Sequence, residues 1–128
     1  VRLLLDTHAF LFWVSGGERL SPRARSAIAL AANECHLSLA SCWEIAIKVS
    51  LGKLRIDEPM ERFIPSQMTQ NGFRSVPIEL RHVLRVARLP FLHRDPFDRL
   101  LAAQALEESL TIVSADTVFP DYGVDRIW

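Results

Sequence analysis

Short apolar, β-prone runs alternate with helix-patterned segments along the whole chain, and that alternation leaves few folds open. The runs cover residues 1–5, 36–39, 73–76 and 110–113, with a possible fifth at 124–128. Consecutive strands joined through a helix lie parallel in one sheet, because the helix supplies the crossover. The predicted fold is therefore α/β: a three-layer α/β/α arrangement around a mainly parallel sheet of four to five strands. At 128 residues with 49% hydrophobic content, the chain is expected to form a single domain over residues 1–128 with a full core. No internal repeat, low-complexity tract or linker divides it.

Helix boundaries are marked by local chemistry. A short, strongly apolar helix is expected over residues 7–14, ended by Ser15-Gly16-Gly17. Ser21-Pro22 supplies an N-cap followed by proline at the first helical position, opening a helix through about residue 32. Ser41 to Glu44 reads as a capping box for a helix over residues 41–51, which Gly52 ends. Apolar residues on nearly every side of that helix (Trp43, Ile45, Ile47, Val49) predict burial between neighbours. After a turn at 53–59, a helix of mixed polarity runs to about residue 70, and Pro65 is expected to kink or split it. A further helix covers residues 78–87. The last, over 97–108, has Asp95 as N-cap, Pro96 at its first position and a small-residue face of Ala102, Ala103 and Ala105 for close packing on the sheet.

Charge and composition narrow the function. Fifteen basic residues balance fifteen acidic ones, so bulk positive charge does not draw this chain to nucleic acid. Such a role requires local patches, a metal, or a dimer that pools patches. Cys35 and Cys42 lack zinc-site spacing and read as reduced core thiols. No secretory signal opens the chain and no apolar run reaches the ~20 residues of a membrane span. A cytoplasmic protein is expected; the chain opens at Val1 without a methionine, which leaves room for an initiator residue or a short leader ahead of it.

Four acids stand apart: Asp6, Glu44, Asp98 and Asp116. Each follows an apolar stretch at or just inside a helix start. In open parallel sheets ligands bind outside the carboxyl ends of the strands, which is where this placement brings them. Each also has a plain structural use. Asp6 and Asp116 can cap the helix or turn that follows, Glu44 can complete its capping box, and Asp98 can complement a helix dipole. Four acids at one topological position exceed what capping needs. Crowded carboxylates raise one another's pKa, and a divalent cation reverses that cost. Carboxylates without paired His or Cys favour Mg²⁺ or Mn²⁺ over zinc, and the pattern reads as a hard-metal site for chemistry on phosphate.

The segments LLLDTHAFLFW, SLASCWEIAIKVSLGKL and HRDPFDRLLAAQALEESLTIVSAD together resemble the PIN-domain superfamily of metal-dependent ribonucleases, in particular VapC-type toxins of bacterial toxin–antitoxin pairs. The resemblance covers essentially the whole chain. It implies a Mg²⁺- or Mn²⁺-dependent endoribonuclease (a hydrolase) that cuts RNA phosphodiester bonds with metal-activated water, leaving a 5′-phosphate and a 3′-hydroxyl. Asp6, Glu44, Asp98 and Asp116 would be both its catalytic residues and its metal ligands, with Asp116 the least secure because the family's fourth acid varies. Ser114 matches a supporting hydroxyl, and Asp95 and Arg99 are further supporting positions. Arg99, Arg94, Lys48 and Arg55 are candidates for phosphate or antitoxin contacts, and His93 for the rim of the site. His8, His36 and His82 read as packing or surface residues, and Trp13 and Trp43 as core or interface. The implied partners are RNA, a cognate antitoxin protein and a second copy in a homodimer, with no membrane.

Three other readings compete. An RNA-processing nuclease without an antitoxin has the same residues. A non-catalytic PIN-like module binding RNA or protein would not need all four acids. A phosphatase with Asp6 as nucleophile lacks the second Asp two residues later, where His8 stands.

Overall fold

Five parallel strands form one sheet in the computed structural model, which describes residues 1–128. They are β1 (Arg2–Leu5), β2 (Glu34–Ser38), β3 (Arg74–Val76), β4 (Thr111–Val113) and β5 (Arg126–Ile127), in the order β3-β2-β1-β4-β5. Six helices connect them: α1 (Thr7–Val14), α2 (Pro22–Ala29), α3 (Leu39–Ser50), α4 (Met60–Asn71), α5 (Leu80–Val86) and α6 (Pro96–Glu108). The expected three-layer α/β/α fold is present, and its sheet is wholly parallel. No helix is long and apolar enough to cross a membrane.

Central β1 explains the layering. Successive side chains on a strand point to opposite faces. Leu3 and Leu5 join Phe10, Ile28, Leu37 and Ile45 on one face, while Leu4 joins Leu101, Ala102, Ile112 and Phe119 on the other. All three leucines are fully buried, which suits a strand covered on both sides. Truncating Leu4 to Ala would cost about 2–5 kcal/mol through the cavity it leaves. The alanines of α6 are buried as their spacing predicts, and bring that helix close to the sheet.

Several boundaries differ from expectation, each for a local reason. Helix α2 stops at Ala29, because Leu30 takes an extended conformation and Asn33 donates its side-chain amide to the Ala27 carbonyl, turning the chain into β2. Helix α3 begins earlier than predicted. Ser38, the last residue of β2, is its N-cap, and its hydroxyl accepts from the Ala40 amide at 3.0 Å. The Ser41–Glu44 capping box therefore does not form, and the Ser41 hydroxyl is buried without a partner. Helix α4 runs unbroken through Pro65. Pro65 and Glu61, whose carbonyl loses its donor, both lie on the exposed side of the helix, where a missing helix hydrogen bond costs least.

The strand order positions the site. From β1 the chain steps to β2 and β3 on one side, then crosses to β4 and β5 on the other. The reversal lies between β1 and β4, and it opens a crevice at their carboxyl ends.

Candidate metal centre

Asp6 leaves β1 directly into that crevice. Its backbone amide bonds the Val113 carbonyl of β4 at 3.1 Å, and its Oδ1 caps α1 by accepting from the Ala9 amide at 2.8 Å. Capping uses one oxygen of a carboxylate that has two. The carboxyl is buried, and burial pushes its pKa up, with Glu44 adding to the rise. The Ser114 hydroxyl, the Ala9 amide and His8 oppose it.

Asp98 arrives from the opposite layer on the first turn of α6. The Asp95-Pro96 start forms as predicted: Asp95 Oδ1 accepts from the amides of Phe97 (2.8 Å) and Asp98 (3.2 Å). Asp95 is thus the cap and leaves the Asp98 carboxylate free. Burial first, then the charges of Asp95, Asp6 and Asp116, drive the Asp98 carboxyl up to about 7, against the pull of His93. Asp116 sits in the turn after β4. Its amide donates to the buried Ser114 hydroxyl at 3.0 Å, and its Oδ1 accepts from the Val118 amide at 3.0 Å. Ser114 therefore steadies Asp6 and Asp116 at once.

Asp6, Asp98 and Asp116 line one cleft of about 340 Å³, together with His8, Phe12, Ala115 and Trp128. Glu44 stands beside it rather than in its lining. One of its oxygens accepts from Thr7 Oγ1 at 2.6 Å, and the other pairs with Lys48 Nζ at 3.2 Å. The side chain expected to double as a helix cap is instead held across the sheet edge by α1 and by its own helix.

His93 completes the constellation from the loop before α6. Its Nε2 lies 3.1 Å from Asp116 Oδ2 and 3.4 Å from Asp98 Oδ2, and its Nδ1 accepts from the Asp95 amide at 2.9 Å. Of the other histidines, His36 and His82 are buried in packing, and exposed His8 lines the cleft.

The cations expected near the acids fall differently. Arg99 is buried and turned away from the cleft. It donates to the carbonyls of Pro90 (3.0 Å) and Val86 (3.1 Å), lies over the Phe91 ring and is held by α6, so it braces the loop instead of meeting phosphate. The spacing that puts Asp98 toward the sheet edge rotates its neighbour by about 100° around the helix. Arg55 is exposed and pairs with Asp57 at 3.7 Å in a different groove, and Arg94 is exposed. Only Lys48 meets an acid of the set.

No Lys or Arg forms an ion pair with Asp6, Asp98 or Asp116. Three converging carboxylates, two of them with raised pKa, thus lack a neutralising charge from the chain. An all-oxygen donor set of this kind fits a hard divalent ion, which would restore the balance. Thr7 and the lining aromatics Phe12 and Trp128 were not singled out from the sequence. Thr7 was readable only as the residue following Asp6.

A wholly parallel sheet with unneutralised carboxylates gathered at its switch point defines an α/β domain with an acidic crevice. More narrowly, the chain belongs to the PIN domain family, whose sequence profile matches residues 3–125. A curated relative, Ribonuclease VapC16 of Mycobacterium tuberculosis, is 40% identical over 50 residues, 39% of this chain and 36% of that protein. The match thus spans about a third of the relative's length. Among solved structures, VapBC2 from Rickettsia felis bound to a DNA fragment from its promoter aligns with a TM-score of 0.76 at 15% identity, covering 99% of this chain and 98% of that one. DNA-bound VapBC from Salmonella typhimurium aligns with a TM-score of 0.72 at 12% identity, covering 99% and 97%. At these identities the likeness is one of fold.

Proposed function

We propose that the protein is a metal-dependent endoribonuclease that acts as the toxin of a toxin–antitoxin pair. The observation that carries the reading is the convergence of Asp6, Asp98 and Asp116 in one cleft without a Lys or Arg partner, with Asp98 driven to about 7. The name of the partial relative and the VapBC structures of similar fold support the choice of RNA and antitoxin.

In this reading Asp6, Asp98 and Asp116 hold Mg²⁺ or Mn²⁺, and Glu44 contributes from beside them. The ion, when bound, supplies Lewis-acid stabilisation of phosphate charge and makes water a better nucleophile. The chain's own share is orientation. The Ala9 and Val118 amides hold the Asp6 and Asp116 carboxylates in place, Thr7 and Lys48 aim Glu44, and Phe12 and Trp128 add apolar surface to the cleft wall.

Partners have candidate surfaces. A groove of about 490 Å³ between α1, the 54–58 segment and α4, lined by Leu11, Val14, Leu54, Ile56 and Phe63, suits an apolar segment of an antitoxin. Elsewhere, exposed Trp43 and Val83 border a groove of about 250 Å³ lined also by Val86, Pro96, Phe97 and Leu100. Clustered exposed apolar residues mark interaction surfaces, and this one suits a second copy. The cytoplasm is the compartment this activity requires.

The test is cleavage of labelled RNA by the purified protein with Mg²⁺, with Mn²⁺ and with chelator. Cleavage should require the ion and disappear in Asp6→Asn. Cleavage undiminished in that variant overturns the reading.

A further inference from the structure

We infer that His93 is a positioning residue, whose Nε2–H anchors the Asp116 carboxylate beside Asp98. This role rests on reading those two acids as cation ligands. The backbone N–H of Asp95 can only donate, so His93 Nδ1, 2.9 Å away, must present its lone pair. In the neutral ring the hydrogen is then on Nε2, the atom facing Asp116 Oδ2 at 3.1 Å and Asp98 Oδ2 at 3.4 Å.

That arrangement excludes a second role. With Nδ1 engaged and Nε2 protonated, the ring has no free lone pair for a cation, so His93 is not itself a ligand in this pose. It orients ligands from behind, as donors around metal sites commonly do.

Three separate pieces of chain meet around this ring. Asp98 comes from α6, Asp116 from the turn after β4, and His93 from the loop between α5 and α6. The loop is fixed from both ends. The Asp95 amide grips the ring, and buried Arg99 holds the Pro90 and Val86 carbonyls. The Asp95 cap therefore sets both Asp98, through the helix start, and the histidine that faces it. The position of Asp116 therefore does not depend on its short turn alone, and the ring keeps its carboxylate next to Asp98.

Two measurements test this role. Nitrogen NMR of the metal-free protein should show His93 protonated at Nε2 and bare at Nδ1; the opposite tautomer overturns the proposal without reference to any metal. Mn²⁺ titration followed by electron paramagnetic resonance should show affinity about 10- to 100-fold weaker in His93→Ala, the usual scale for such outer donors. His93→Gln, whose amide N–H can reach Asp116 Oδ2, should recover most of that loss. The Mn²⁺ signal of the wild type should carry no coupling to a directly bound nitrogen. Mn²⁺ affinity unchanged or raised in His93→Ala overturns the role, as does a bound nitrogen. If Asp98→Asn abolishes Mn²⁺ binding while His93→Ala leaves it intact, only the histidine's role falls. If the wild type binds no Mn²⁺, the cation reading itself falls and takes this role with it.

Discussion

Two histidines in this chain are held by the same device and surrounded by opposite electrostatics. His82 accepts a backbone amide at Nδ1, from Glu79 at 3.0 Å, and turns Nε2 to Glu108 at 3.1 Å. His93 accepts the Asp95 amide at 2.9 Å and turns Nε2 to Asp116 at 3.1 Å. Around His82, however, Arg81 pairs with both Glu79 and Glu108, and Arg85 pairs with Glu107 at 3.0 Å. The Glu79 carboxyl is held below its ordinary value, chiefly by Arg81. Around His93 no arginine or lysine answers the carboxylates, and Asp98 rises to about 7. A histidine between two acids does not by itself distinguish a structural knot from a binding site. The presence or absence of a cation built into the chain does, because only the second cluster leaves charge for a ligand to neutralise.

The largest expected difference between the two clusters is in activity. Asp98→Asn should lower RNA cleavage by about a hundredfold or more, on the scale of losing a principal electrostatic group. Glu108→Gln should leave the cleavage rate within a factor of about two, since substitutions away from the site have small effects. Equal losses in single-turnover assays would erase the distinction.

pH should separate the clusters next. The folded, metal-free chain holds the Asp98 proton more tightly than the unfolded chain, whose carboxyl titrates near its ordinary 3.8. The contribution of this group to stability is full below that value and is lost as pH rises through about 7. Thermal midpoints without metal should therefore fall between about pH 4 and about pH 7, and Asp98→Asn should flatten the decline. Over the same range Mn²⁺ affinity should climb about tenfold per pH unit until the proton is gone. A metal-free midpoint that rises across this window would contradict the sign.

Stability effects should run the other way. Glu108→Ala leaves His82 Nε2 without its partner in a buried position and should cost about 1–3 kcal/mol in denaturant unfolding, with Mn²⁺ binding unchanged. Arg99→Ala removes the donor from two carbonyls and should cost a similar ~1–3 kcal/mol. It should also weaken Mn²⁺ binding a few-fold, because it loosens the loop that carries His93. The smallest change is expected from Trp43→Glu on the exposed face, within ~0.5 kcal/mol of wild-type stability. Its effect should appear instead as a shift toward monomer in size-exclusion chromatography.

Much of the fold was legible because its signals are local. The LLLD run entering the centre of the sheet, the Ser21-Pro22 and Asp95-Pro96 helix starts, and the alanine face of α6 all declare themselves within a few residues. Asp6, Asp98 and Asp116 were legible as a set because each follows a strand or opens a helix, and parallel strands share one carboxyl edge. Glu44 was placed on the correct helix with the wrong neighbours. Ser38 and Ser41 are both plausible caps, and only the length of β2 decides for Ser38. Arg99 reads as a site residue because it follows a site acid, whereas one helical step turns its side chain toward the loop behind.

Local sequence dictates the alternation of strands and helices, and with it the parallel sheet and the edge at which the acids gather. These follow from periodicity and from capping chemistry, which act over a turn or two of chain. The tertiary structure alone decided which charges remain unanswered. Lys48 reaches Glu44 and Arg81 answers Glu108, while Arg99 turns away from Asp98 and leaves His93 to face it. Electrostatic pairing depends on distances of a few ångströms between segments far apart in the chain, and only folding sets those distances.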